Sequence, residues 1–331
     1  MKDKKSNHFR YCRLKQNWVA FAPKRVRRPL DLSACASEEW HADFFAAGNE
    51  FKTPDEIARL DDANGWVVRV VPNLYRIVEI ESPKESGREG FFEWMGGYGA
   101  HEIVIESPTP KEIWELEWPK ILEMIRLRYL DLCNDPNISY IQVFKNHGMM
   151  AGASVAHPHS QIVGLPFIPP LVRREIEGAL AYYLSKGRAL VVDEAKEEER
   201  LGERVVHRSD HFIAYCPYAS SHPFSVRIAP LGEDWLSLGA EGSRELGILM
   251  ASILRKMRHI SRHAGFNILY YLTPPRRDNS PFNKEHRQFF PTYLDIVPRL
   301  SMVAGFELSS GIFVNFVMPE EAAAWLNAQE D

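Results

Sequence analysis

One order of elements is written twice along this chain. In the first half, HEIVIESP leads into a long stretch of helical periodicity over residues 111–133, then YIQVFKN, a polar loop and HPHSQIVGLP. In the second half, HPFSVRIAP leads into helical periodicity over residues 245–263, then NILYYLTP, a polar loop and FPTYLDIVP. Strand, helix, strand, loop, strand in the same order twice predicts a duplicated fold whose second copy has diverged. The seam is expected at PFIPPLVRR, residues 166–174, where Pro169 and Pro170 interrupt regular structure. That division gives an N-terminal unit over 1–170 and a C-terminal unit over 171–331. Short β-rich runs bounded by turn residues read as strands at 18–22, 66–71, 102–106, 140–144, 161–165, 212–216, 224–228, 268–272, 292–297 and 312–316. Strands outnumber helices and often follow one another directly. The expected class is therefore α+β, with mainly antiparallel sheets and flanking helices, rather than a doubly wound sheet. The acidic stretch 193–204 reads as a solvated helix or linker, and the basic run 255–262 as the exposed C-terminal end of its helix.

A chain of 331 residues, 45% hydrophobic, is long enough to bury a core without a disulfide or metal. Forty basic residues against forty-four acidic ones leave no general basic excess for nucleic acid or an anionic membrane. Cys12, Cys35, Cys133 and Cys216 lie far apart, so no CxxC zinc or redox pair exists, and four free thiols suit a reducing cytosol. The longest apolar run, 247–254, is too short to cross a bilayer. The opening MKDKKSNHFRYCRLKQ leads into no apolar core of a secretory signal. The expectation is a cytoplasmic protein with neither nucleic acid nor membrane as a partner.

The chemistry is concentrated in residues 142–161, QVFKNHGMMAGASVAHPHSQ. His157, His159 and Gln161 are spaced by two, so on an extended strand all three side chains leave one face. Gly148, Gly152, Ala153 and Ser154 form a small-residue loop just before it, of the kind whose backbone N–H groups can approach phosphate oxygens. Pro158 fixes φ between the histidines and stiffens the presentation of His159. A neutral imidazole is a competent nucleophile toward phosphorus once its tautomer is held. Beside a phosphate cradle it suggests attack on a phosphoanhydride, giving a covalent nucleotidyl-histidine. Gln161 can donate neutral hydrogen bonds to phosphoryl oxygens but cannot supply a proton. Packed or surface histidines, or half of a metal site, are the plainer alternatives. HPHSQ behind a Gly/Ala/Ser loop is a much narrower pattern than HxH alone.

GASVAHPHSQIVGLPFIPP, with YIQVFKNHG before it, resembles the active-site segment of the galactose-1-phosphate uridylyltransferase superfamily, most of all its ADP-glucose phosphorylase-like branch. RLKQNWVAFAPKRVRRP, RVVPNLYRIV, HEIVIESP, HPFSVRIAP and VPRLSMVAGFELSSGIFVNFVMPE resemble further family segments in the right order. The resemblance implies a histidine-triad fold with two related α+β halves and a ping-pong nucleotidyltransferase. His159 would attack the α-phosphorus of a nucleotide donor, and a phosphate, sugar-phosphate or other oxyanion acceptor would take the nucleotidyl group. By the same resemblance Gln161 would support the intermediate, and the backbone carbonyl of His157 would orient the His159 ring. Ser154 and Asn146, with Gly152 and Ala153, would contact the phosphates, Asn73 the nucleoside, and Arg25 and Arg28 anionic groups. Asn73 read alone could equally satisfy a turn, and the two arginines a solvated patch. A homodimer is left open.

Two departures from the family pattern matter. Many members carry zinc through a CxxC pair, a histidine after ESPxH and the first histidine of HPH. Here only Cys35 remains of the first, and Pro110 stands at the second. No structural metal and no cofactor are therefore expected. VAGFE keeps Gly305, Phe306 and Glu307 of the acceptor segment, but Ser301 stands where the uridylyltransferases place a lysine. Arg276 and Arg277 could meet a small anion or lie in an ordinary exposed loop. Adenylyl transfer is the leading expectation, with adenylylsulfate:phosphate adenylyl transfer as a related reading. A histidine-triad hydrolase is disfavoured, because those enzymes place histidine where Gln161 stands.

Overall fold

The computed structural model of the chain describes residues 7–23, 43–260, 265–275 and 286–330. In chain order the strands and helices are β1 (His8–Cys12), β2 (Asn17–Phe21), β3 (Ala58–Asp62), β4 (Gly65–Pro72), β5 (Ser86–Glu89), β6 (Phe92–Met95), β7 (Ala100–Ile105), α1 (Trp118–Leu132), β8 (Tyr140–His147) and β9 (His159–Leu165). They continue with α2 (Pro170–Lys186), α3 (Leu190–Leu201), β10 (Val205–Arg208), β11 (Phe212–Tyr215), β12 (Val226–Pro230), α4 (Trp235–Met257), β13 (Gly265–Tyr271), β14 (Tyr293–Arg299), α5 (Gly305–Ser310), β15 (Phe313–Asn315) and α6 (Pro319–Asn327).

Ten strands join in one sheet, in the order β10-β11-β12-β14-β13-β8-β9-β7-β4-β3. All of its neighbours are antiparallel. Outward from the β8–β13 pair, the first half reads β8-β9-β7-β4-β3 and the second β13-β14-β12-β11-β10. Each half also enters its helix, α1 or α4, from the strand third from the centre. The echo in the sequence thus has a counterpart in the matching strand order on either side of the sheet's middle. β1 and β2 stand apart, in a small sheet with β15 running parallel to β2, and β5 and β6 form a separate hairpin.

Helices α1 and α4 lie together on one face of the sheet. Trp118, Ile121, Leu122, Ile125, Tyr129 and Leu132 recur at three- and four-residue spacing and pack with Val68, Val70, Val104, Val143, Ile162, Ile268 and Ile296. The helices approach closely because residue 247 has no side chain: a Cβ there would sit 2.4 Å from the Pro119 nitrogen. On the opposite face the halves differ. In the second, α2 and α3 cover the sheet through Val172, Ile176, Leu190 and Val191 against Ile213, Tyr215, Ala229 and Tyr293. In the first, a small cluster of Phe45, Trp66, Val71, Ile103 and Ile105 covers part of the face.

The ten strands expected from the sequence all form. The helices required corrections. α1 begins at Trp118 rather than 111, because Pro119 is tolerated only in a first turn. α4 begins ten residues early: the Asp234 side chain accepts from the Ser237 N–H at 2.9 Å, and Gly239 kinks the helix that follows. Pro169 falls in the break between β9 and α2 and caps the helix, and Pro170 is its first residue, where a missing N–H costs nothing. The acidic stretch is a helix, yet not a wholly solvated one. Glu198 is buried against Arg204, and Glu194 accepts from Tyr215 and Arg227. Among the described residues no helix is long and apolar enough to cross a membrane.

Candidate active site

β9 runs between β7 and β8, and its first residue is His159. Alternation sends His159 and Gln161 to the face away from α1 and α4, beside Ile103 and Ile105 of β7. His159 is only 5% exposed, and its Nδ1 lies 2.8 Å from the backbone carbonyl of His157. A carbonyl can only accept, so Nδ1 carries the proton and Nε2 keeps an in-plane lone pair. Burial holds the ring's pKa below the ordinary histidine value, and the nearby Lys145 ammonium adds to the effect. The ring of Phe45 meets His159 edge-on at 5.5 Å between centroids.

The helix side of the same strands holds the site from behind. Lys145 Nζ pairs with Glu106 and donates to the His159 carbonyl at 3.2 Å, while Ser160 Oγ donates to the other Glu106 oxygen at 2.5 Å. Both charged side chains are fully shielded from solvent. On the open face, Gln161 Oε1 lies 2.9 Å from His101 Nε2 on β7. Asn73, at the end of β4, accepts from the Tyr75 N–H through Oδ1 and brings Nδ2 to 3.0 Å from the same His101 nitrogen. Asn146 Oδ1 accepts from Asn267 Nδ2 at 2.8 Å, and Asn267 Oδ1 in turn accepts from Arg299 at 3.2 Å.

The loop before β9 differs in one respect from the expected cradle. Gly148 and Gly152 adopt the left-handed conformation, with φ of +78° and +83°. The tight turn between them directs the amides of Ala151, Gly152 and Ala153 back onto the carbonyls of Gly148 and Met149, at 3.1, 2.9 and 3.2 Å. Gly152 and Ala153 therefore supply room rather than free N–H groups. The amides of Ser154, Val155 and Ala156 have no acceptor among the described residues.

Residues 1–169 match the family model for the N-terminal domain of galactose-1-phosphate uridyl transferase. The chain is 31% identical to an ADP-glucose phosphorylase of Arabidopsis thaliana over 92% of its own length and 88% of that protein's. It is 30% identical to a galactose-1-phosphate uridylyltransferase of Thermotoga maritima, over 97% of this chain and 98% of the relative. The chain belongs to the galactose-1-phosphate uridylyltransferase family. It is a nucleotidyltransferase. The crystal structure of an Arabidopsis thaliana ADP-glucose phosphorylase with bound ADP-glucose superposes with a TM-score of 0.83, at 28% identity, over 98% of this chain and 99% of that one.

Against the zinc of other galactose-1-phosphate uridylyltransferase family members, the described residues do not fit. His157 has both ring nitrogens engaged, Nδ1 at 2.9 Å from Asp43 Oδ2 and Nε2 at 2.7 Å from the Ser107 carbonyl. No other His, Cys, Asp or Glu pair among the described residues joins it at ligating distance. Arg25, Arg28, Cys35, Arg276 and Arg277 lie outside the described residues. Gly305, Phe306 and Glu307 form the first turn of α5, where Glu307 accepts from the Ala304 N–H, and no hydrogen bond joins them to the His159 group. Several neighbours were missed from sequence: His101, Lys145, Glu106, Asn267, Asp43 and Phe45. Alternation gives the faces of His101 and Asn267 on their own strands, but their partners follow only from the pairing of β7 with β9 and of β13 with β8. Nothing in the sequence signals Asp43 or Phe45.

Proposed function

We propose that this family member moves an adenylyl group between a nucleotide donor and a phosphate-type acceptor through a covalent intermediate on His159. The observation that carries this reading is the ring itself, with Nδ1 committed to the His157 carbonyl and Nε2 left with its lone pair. That nitrogen forms a bond to the α-phosphorus as the bond to the leaving phosphate oxygen breaks. With ADP-glucose as donor, glucose 1-phosphate departs. An oxygen of inorganic phosphate then attacks the same phosphorus, the P–N bond breaks, ADP leaves and the imidazole is regenerated. The amide groups of Gln161 and Asn146 stabilise the charge on the phosphoryl oxygens, and Asn73 meets the nucleoside side. Similarity to an ADP-glucose phosphorylase over nearly the whole chain, together with Ser301 in place of the uridylyltransferase lysine, supports adenine over uracil and phosphate over galactose 1-phosphate.

The test is parallel incubation with ADP-glucose, UDP-glucose and adenylylsulfate, each labelled at the α-phosphate. Acid-labile, base-stable label on the protein is expected from ADP-glucose, with discharge as labelled ADP on adding phosphate. Labelling by UDP-glucose alone would overturn the base assignment, and no labelling by any donor would overturn the covalent step. The pH dependence follows from burial. Protonation of Nε2 removes the lone pair, and the lowered pKa of His159 delays that protonation to more acid solution. The acid limb of kcat/KM is therefore expected below the ordinary histidine value of 6.5. A limb at or above that value would show that the ring is not shielded as described.

A further inference from the structure

We propose that His101 is a positioning residue: it holds the Gln161 side-chain oxygen so that the amide NH2 group is the one presented to the phosphoryl group. The inference rests on the adenylyl-transfer reading and deepens it.

An amide side chain has two ends of similar shape and opposite polarity, and only one of them is useful beside phosphate oxygens. Gln161 by itself can rotate to offer either. Its neighbour on β7 removes the choice. The backbone N–H of Ile77 points at His101 Nδ1 from 3.2 Å, so that nitrogen must accept and the proton of the neutral ring lies on Nε2. Nε2 is 2.9 Å from Gln161 Oε1, so it donates there. With the amide reversed, two N–H donors would face each other at that distance. Burial favours the neutral ring that this arrangement requires, because it lowers the His101 pKa.

The same residue also anchors the 73–77 turn. Its backbone carbonyl accepts from the Asn73 N–H at 2.8 Å, and its ring accepts from Ile77, so both ends of the 73–77 turn are tied to it. The Asn73 amide nitrogen also lies 3.0 Å from Nε2, while Asn73 Oδ1 is held by the Tyr75 N–H. His101 is thus placed to set the polarity of the Gln161 carboxamide without touching the reacting atoms.

The test is a double-mutant cycle on the rate of His159 nucleotidylation by labelled ADP-glucose, with melting temperature followed in parallel. His101→Phe keeps a flat ring of similar size and removes the donor. His101→Gln restores a donor on a flexible stem and serves as the second variant if the first fails to fold. In the wild-type background His101→Phe is expected to lower the maximal rate about tenfold, the worth of one neutral hydrogen bond, with a smaller change in KM. His101→Gln should recover part of that loss. In a Gln161→Ala background the His101 substitutions should change the rate less than about twofold, because the group they orient is gone. Equal losses in both backgrounds would overturn the proposal while leaving adenylyl transfer standing. A wild-type protein that takes no label would overturn both.

Discussion

His159→Ala is expected to abolish nucleotidyl transfer, with a loss on the order of 10⁵-fold or more in the rate of label transfer to acceptor. The variant removes the only atom that can form the P–N bond in the reading given above, so what remains is binding and electrostatic stabilisation alone. The fold should persist. The ring is buried, but its removal deletes one backbone-directed hydrogen bond and an edge contact with Phe45, a cost of about 1–3 kcal/mol. Circular dichroism and urea midpoint would check the fold, and the labelled-donor assay the chemistry. Turnover within a hundredfold of wild type would move the nucleophile elsewhere.

The largest effect on stability is expected at Lys145. Replacing it by methionine leaves Glu106 as an unpaired charge in the sheet's interior, where both partners have no solvent contact. Breaking one side of such a pair costs about 3–5 kcal/mol, read as a lowered urea midpoint at unchanged m-value. Replacing both partners by apolar residues of similar volume, as in Lys145→Met with Glu106→Leu, should return most of that loss. If the single variant proves neutral, Ser160 and backbone groups must satisfy Glu106 unaided. The pair also touches the His159 carbonyl, so the destabilised variant should lose transfer activity beyond its loss of folded protein.

Much of this arrangement was legible in the chain because it rests on local periodicity. Residues 102–106 and 140–144 carry strand patterns strong enough to stand alone, and HPHSQ fixes by alternation that His159 and Gln161 share a face. What local pattern cannot carry is pairing. His101 sits in a run read as strand, yet its role depends on which strand lies beside it, and that order is set by long-range hydrogen bonding. Lys145 and Glu106 are 39 positions apart and look like surface charges until the sheet brings them together. The helix starts differ from the periodic pattern for another reason. Apolar spacing continues into residues 111–117, and only the placement of Pro119 in a first turn shows where winding begins. Asp43 and Phe45 reach His157 and His159 from a segment with no periodic signature at all.

The two halves share a strand plan but expose it differently. Where the first covers the side of β9 that bears His159 only with the small cluster around Ile103 and Ile105, the second roofs the corresponding side of β14 with α2 and α3, and fills it with Tyr293, Asp295 and Arg227, the guanidinium meeting both of the others. That side of the second half is given over to packing, an abutment rather than an opening. A strand plan laid down on either side of the β8–β13 junction is thus roofed by helices on one flank and only thinly covered on the other.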